Sequence, residues 1–159
     1  MAGRGYALRR DLQAVAITLW AGSLWTGLLI APMLFQVVPD RVLAGAVAGR
    51  IFSVVAYLGL ACAACLVVLL LARSQGAGTS RPMLRVVVAM SALALIGEFG
   101  LQPILGGLKQ AAAPAEVMQS ALRGRFTAWH GIASGLYLVN CALGAVLVVL
   151  QNRAAGERG

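Results

Sequence analysis

The chain has 159 residues, of which 60% are hydrophobic and only 11% are charged, and its mean hydropathy is +0.86. A soluble domain is about 45–50% apolar and about 25% charged, so the composition excludes an ordinary soluble protein. The formal net charge of +8 does not indicate nucleic acid as a partner, because the basic residues are spread through the short segments between apolar runs. We expect the lipid bilayer to be the partner, with the basic surplus setting topology and contacting anionic headgroups.

Four apolar runs predict transmembrane helices, since each is longer than the 18 residues that a bilayer crossing requires. The predicted fold is therefore an all-α membrane protein, a four-helix transmembrane bundle. Its single domain covers residues 12–150, with an N-terminal segment at 1–11 and a disordered tail at 151–159. The predicted spans are residues 12–38, 44–72, 84–105 and 126–150.

The basic residues also predict an orientation. Most of the 13 lysines and arginines flank the spans on the side that carries the two termini. By the positive-inside rule, both termini are expected to be cytoplasmic, in a multi-pass protein of the bacterial inner membrane.

The connections between the spans have recognisable signals. Pro39 and Asp40 predict a tight hairpin, with Asp40 as the N-cap of the second helix. The Gly- and Ser-containing segment 73–82 predicts a flexible loop. Pro103 predicts a kink or an early end of the third span, with the exit at Gly106 and Gly107, and the Ala-rich segment 109–125 predicts a short helix lying on the membrane surface.

Small residues are dense in the first two spans. Gly45 and Gly49 stand four apart in "AGAVAG", a spacing that lets helix backbones approach closely in lipid, and Gly22 is assigned the same helix-packing role. Cys62 and Cys65 have the spacing of a redox or metal pair, but no further ligands accompany them, so we interpret them as packing residues. No metal and no cofactor is predicted.

Three ionisable residues inside the apolar runs are the best indicators of a site, since each costs roughly 2.5–3.5 kcal/mol at a helix centre. On the predicted spans, Arg50, Glu98 and His130 all lie roughly 6–11 Å from the outer helix ends. Each helix also has one polar or small face that we expect to turn inward. The three faces are Arg50, Ser53, Tyr57, Ala61 and Ala64; Ser91, Ala94, Glu98 and Gln102; and His130, Ser134, Tyr137, Cys141 and Gly144.

The sequence thus predicts a polar cluster of Arg50, Glu98, Gln102 and His130 in the outer half of the bundle, and two interpretations stay open. In one, Arg50 and Glu98 form a structural ion pair; in the other, the cluster binds or conducts a small solute, a metal ion or a proton. Residues flanking the cluster are expected to anchor the chain at the membrane interface: Arg123, Arg125 and Trp129.

Catalysis is not favoured by the sequence. There is one histidine, so a bis-histidine haem site within one chain is excluded, and no nucleophile motif or phosphate-binding glycine loop is present. The leading hypothesis is a non-enzymatic accessory or interaction protein that binds other membrane subunits or itself.

Several short motifs follow one another in the order of a known family: "LWAG" at 19–22, "APMLF" at 31–35, "AGAVAGRIF" at 44–52, Pro103, and "RFTAWHG" at 125–131. The chain resembles the bacterial family of domain of unknown function 4149, which is similar to the animal transmembrane protein 205-like domain. The resemblance implies a four-helix membrane protein, carries no established activity, and does not map Glu98. The matching positions are Trp20, Gly22, Pro32, Phe35, Gly45, Gly49, Phe52, Phe126, His130 and Gly131.

Overall fold

Long helices account for almost all of the structure, a computed structural model that describes residues 2–72, 80–113 and 116–156. The α-helices are α1 (Ala2–Val37), α2 (Arg41–Leu71), α3 (Ser80–Leu95), α4 (Gln102–Ala112) and α5 (Arg123–Gly156). A π-helical segment, Ile96–Leu101, joins α3 to α4, and Val117–Gln119 forms a single 3-10 turn.

Within the described residues, four stretches are long and apolar enough to cross a membrane: Ala7–Val37, Arg41–Leu71, Arg81–Ala112 and Arg123–Ala154. The predicted all-α membrane fold with four spans is confirmed. We call these stretches the first to fourth spans; the third consists of α3, the π-helical segment and α4.

The spans form a closed bundle. Each packs against the next along the chain, and α5 packs back against α1. Because successive spans alternate in direction, the start of α1 and the end of α5 lie at one end of the bundle, the terminal end. Residues 38–40 and 116–122 lie at the other, the hairpin end. Which end faces the cytoplasm stays a prediction.

The hairpin between the first two spans forms as the sequence predicts. The carboxylate of Asp40 accepts hydrogen bonds from the backbone N–H groups of Val42 at 2.8 Å and Leu43 at 3.1 Å. These donors have no partner within the helix, so the cap satisfies two of them and fixes where α2 begins.

The third span is longer than predicted, because Pro103 does not end it. Proline lacks the N–H of a regular helix turn and its ring collides with the carbonyl four residues earlier. The chain widens just before it, so that the N–H of Gln102 reaches the carbonyl of Gly97, and the helix then continues to Ala112. The predicted exit at Gly106 and Gly107 is therefore wrong, and the start of the predicted surface helix belongs to the span.

The fourth span is also longer than predicted. α5 continues through Gly156, so the tail predicted to be disordered from residue 151 is helical as far as it is described. Residues 157–159 of that tail and 73–79 of the predicted flexible loop lie outside the described residues.

The core is made of large side chains from every span, chiefly Trp20, Leu66, Met90 and Leu147, which are fully buried. A Cβ added at Gly59 would lie 2.9 Å from Cδ1 and 3.0 Å from Cε2 of the Trp20 indole. The indole therefore occupies the space that a side chain at this glycine would need.

Two of the glycines predicted to pack helices do not do so within the chain. A Cβ at Gly22 or Gly49 would meet no atom within 4 Å, whereas one at Gly144 would touch three side chains at 3.6 Å. A spacing of four residues shows that two glycines share a face, but not that the face meets another helix. The close approaches fall instead at Gly27, Gly59 and Gly144.

Candidate functional site

A lysine on the third span contacts the second and fourth spans at the hairpin end. The ammonium of Lys109 donates a hydrogen bond to the carbonyl of Gly45 at 3.2 Å and lies 5.9 Å from the centroid of the Phe126 ring. The Phe126 ring stacks on the imidazole of His130, with centroids 5.6 Å apart and planes 8° apart. Phe35 approaches the same glycine, at 4.0 Å from a notional Cβ. We call these five residues the lysine cluster.

Two independent contacts within the lysine cluster stabilise the ammonium of Lys109. A carbonyl oxygen accepts from the ammonium, and an aromatic face attracts its charge through the ring quadrupole. The sequence singles out His130 but misses Lys109, because the predicted third span ends at residue 105. A basic residue in the last turn of an extended helix is the signal that identifies it.

Gln102 makes a second contact of the same kind. Its amide donates to the carbonyl of Gly49 at 3.4 Å, one helical turn along α2 from Gly45. The two glycines thus present carbonyls to donors from the third span, instead of packing against its backbone.

Arg50 and Glu98 do not form the predicted ion pair. Within residues 2–72, 80–113 and 116–156, the only ion pair joins Arg10 to Asp11 at 3.9 Å. Arg50 is exposed, whereas Glu98 is partly buried in the π-helical segment. The hydrogen bond to α2 is made by Gln102, and not by Glu98.

The predicted polar face of α2 points out of the bundle, and not into its interior as predicted. Arg50, Tyr57, Ala61 and Ala64 are exposed and Ser53 is half-buried, whereas the buried face of α2 is Ala44, Ala48, Val55, Gly59, Cys62, Ala63, Leu66 and Leu70. Helical spacing identified the stripe correctly, but the small residues of the opposite face form the bundle interior. His130 and Ser134 on α5 are also exposed, and only Cys141 and Gly144 of that stripe are buried.

A tyrosine links the fourth span to the first. The hydroxyl of Tyr137 donates to the carbonyl of Leu24 at 2.8 Å, and its ring meets Phe52 edge to face with centroids 4.9 Å apart. Gly27 makes this possible, since a Cβ there would lie 2.5 Å from the hydroxyl oxygen.

Asn140, near the middle of α5, is a buried polar residue with an incomplete set of hydrogen bonds. It is 5% exposed, and its Oδ1 has no hydrogen-bond partner among the described residues. An unpaired amide oxygen away from water costs roughly 1–3 kcal/mol. Asn140 is not among the predicted site residues, although an amide in the centre of an apolar run is a recognisable signal.

A further pair of amides joins the spans at the terminal end. Gln13, which is fully buried, donates to Gln151, and its amide nitrogen also lies 3.5 Å from the sulfur of Met83. These three side chains come from the first, fourth and third spans, so the contact holds together the end of the bundle where the chain begins and finishes.

The remaining predicted residues do not form a site together. Arg123 and Arg125 are exposed and Trp129 is half-buried, all at the start of α5 at the hairpin end, where their role as interface anchors stays a prediction. Among the described residues, no group of three or more His, Cys, Asp or Glu side chains is gathered as a metal site would require.

A family model described as "Domain of unknown function (DUF4149)" matches residues 15–114, which is more than half of the chain. The match runs from the first span to the end of the third, so it includes Arg50, Glu98, Gln102 and Lys109 but not α5. No curated protein and no solved structure matches the chain.

Proposed function

The chain belongs to the DUF4149 family, and we propose that it is a non-enzymatic accessory protein that docks against other helices within a membrane. The observation that carries this proposal is a pair of unneutralised charges. Arg50 and Glu98 lie inside membrane-spanning segments, and neither forms an ion pair within the described part of the chain.

Glu98 lies where the bilayer tolerates a charge least. It lies about two residues from the midpoint of the third span, Arg81–Ala112, and so within the hydrocarbon layer of about 30 Å. Its side chain is too short to reach water from that depth. A charge there costs roughly 2.5–3.5 kcal/mol, and a cationic group on a docked helix lowers that cost.

The other polar contacts support a role without catalysis. Lys109, Gln102 and Tyr137 each donate to a backbone carbonyl of another span. These side chains hold the helices together, and each uses at least one donor for that structure.

Purification from native membranes in a mild detergent tests the proposal. We expect a second membrane protein, or a second copy of the chain, to remain bound to the wild-type protein and to be lost from Glu98→Gln. The matched control is Glu116→Gln, because Glu116 lies between the spans, accepts from Gln119 and should not affect the complex. A solitary wild-type protein would overturn the proposal.

The proposed membrane is the bacterial inner membrane, with both termini in the cytoplasm. Single cysteines introduced near each terminus should be labelled by a membrane-impermeant reagent only after the cells are opened. Labelling of either end in intact cells would contradict this orientation.

A second candidate function, binding of a small polar solute inside the bundle, is favoured by Asn140. Its unpaired Oδ1 would accept a hydrogen bond from a donor that enters the interior. Solute uptake into proteoliposomes should stop in Asn140→Leu and continue in the Glu116→Gln control. Equal uptake by wild type, Asn140→Leu and empty vesicles would remove this candidate.

A further inference from the structure

Two opposite charges lie on neighbouring spans, about one helical turn apart in depth. Gln102 bonds to Gly49, which is next to Arg50, so Arg50 and Gln102 share a level in the bundle. Glu98 is one turn before Gln102, which places it about 5–6 Å deeper than Arg50. The extended side chain of an arginine covers such a distance.

We propose that the docked helices belong to a second copy of this chain, with Arg50 of each copy paired to Glu98 of the other. This inference rests on the proposed docking function and specifies its partner. A two-fold axis parallel to the membrane normal keeps every residue at its own depth and presents the same surface on both copies. Each copy contributes one positive charge, Arg50, and one negative charge, Glu98, so the symmetric contact neutralises all four of these charges.

The surface around these charges suits such a contact. Val54 and Tyr57 on α2 are 65% and 54% exposed, and Phe99 on the third span is 59% exposed. The rings of Tyr57 and Phe99 meet edge to face, with centroids 6.3 Å apart, and so connect the two spans on the outside of the bundle. We call these residues, with Arg50 and Glu98, the Arg50–Glu98 face.

The charges also define the geometry of pairing. Arg50 is exposed and Glu98 is partly buried, on two spans that pack against each other. An arginine of a second copy that reaches Glu98 therefore brings its own Glu98 close to the first copy's Arg50, which makes the contact reciprocal. A bidentate guanidinium–carboxylate pair is the strongest contact these groups can make.

Reciprocal charge reversal tests the dimer. Arg50→Glu alone and Glu98→Arg alone should each raise the dissociation constant of self-association about tenfold or more, because each puts like charges at both pair positions. When the two variants are co-expressed with different tags, each should capture the other at close to the wild-type level. Failure of the mixed pair to form, while both chains fold, would overturn the proposal.

Cross-linking gives a second measurement that does not depend on inserting new charges. In a background without Cys62, Cys65 and Cys141, Val54→Cys should cross-link between copies. Its matched control is Val139→Cys, a valine on α5 that is 53% exposed on another side of the bundle. Equal cross-linking at the two positions would contradict the proposed face. A different membrane protein that co-purifies in a Glu98-dependent way, without a second copy, would refute the dimer and leave the docking function standing.

Discussion

Glycines serve two different purposes at two levels of this bundle, the hairpin end and the middle. At the hairpin end, Gly45 and Gly49 leave their carbonyls open to donors from the third span, and a Cβ at either position would meet nothing closer than 3.6 Å. In the middle, Gly27 and Gly59 make room for the ring systems of Tyr137 and Trp20. The same residue type therefore gives access to the backbone in one region and room for a large side chain in the other, and an added methyl group distinguishes the two.

The largest effect is expected at Gly59. Gly59→Ala places a methyl group against the Trp20 indole, which is fully buried and has little room to move, so we expect a loss of about 1–3 kcal/mol of unfolding free energy. Denaturation in detergent, followed by tryptophan fluorescence, measures it. Gly22→Ala is the control, since its methyl group meets nothing within 4 Å and alanine favours the helix. Equal stabilities of the two variants would contradict the tight contact.

Gly27→Ala should have the next largest effect. Its methyl group would displace the Tyr137 hydroxyl from the Leu24 carbonyl and remove a hydrogen bond of about 1 kcal/mol. Tyr137→Phe removes the same bond without adding a methyl group, so it isolates that part of the loss in a denaturation curve. If Tyr137→Phe has no effect while Gly27→Ala is strongly destabilising, crowding alone accounts for the change.

Lys109→Met should cost less, about 0.5 kcal/mol, because the lysine is exposed and only its contacts with Gly45 and Phe126 are lost. Methionine keeps most of the aliphatic stem and removes the charge. The thermal midpoint of the purified protein is the measurement. The control is Arg125→Met, which removes an exposed cation from the same end of the bundle. An equal drop in both midpoints would show that the loss of positive charge, and not the contacts of Lys109, causes the change.

The smallest effect is expected at Gly49→Ala. Open space around its Cβ position and the better helix propensity of alanine predict a neutral or slightly stabilising change, within about 1 kcal/mol. A clearly lower midpoint would show that the Gln102 contact depends on the bare backbone more than its 3.4 Å length indicates.

Hydropathy was sufficient to predict the four spans and their order, because lipid solvation acts on whole segments and averages over individual side chains. The Asp40 cap was predictable for a local reason, since its partners lie within three residues. The direction in which the predicted polar face of α2 points could not be predicted from the sequence. Helical periodicity determines which residues share a face, whereas the choice of the buried face depends on how well small residues such as Ala44 and Ala48 fit a neighbour.

The candidate site was only partly predictable for the same reason. His130 and Gln102 were identified as polar residues in apolar surroundings. The stacking of His130 on Phe126 is local, since the two residues are four apart on α5. The contact of Gln102 with Gly49 depends instead on the exact rotation of the third span against the second. Lys109 was missed because a proline usually ends a helix, and the sequence alone does not show that a wider turn can accommodate it.

The wider turn at Ile96–Leu101 has a consequence for how the third span can evolve. It carries an additional residue relative to a regular helix, and the wider turn absorbs that residue, so the parts before and after it keep nearly the facing of an uninterrupted helix. An added residue that the turn did not absorb would instead swing everything from Gln102 onward by roughly 100°. The donors that now meet α2 would then point elsewhere, while α3 would keep its packing against the core.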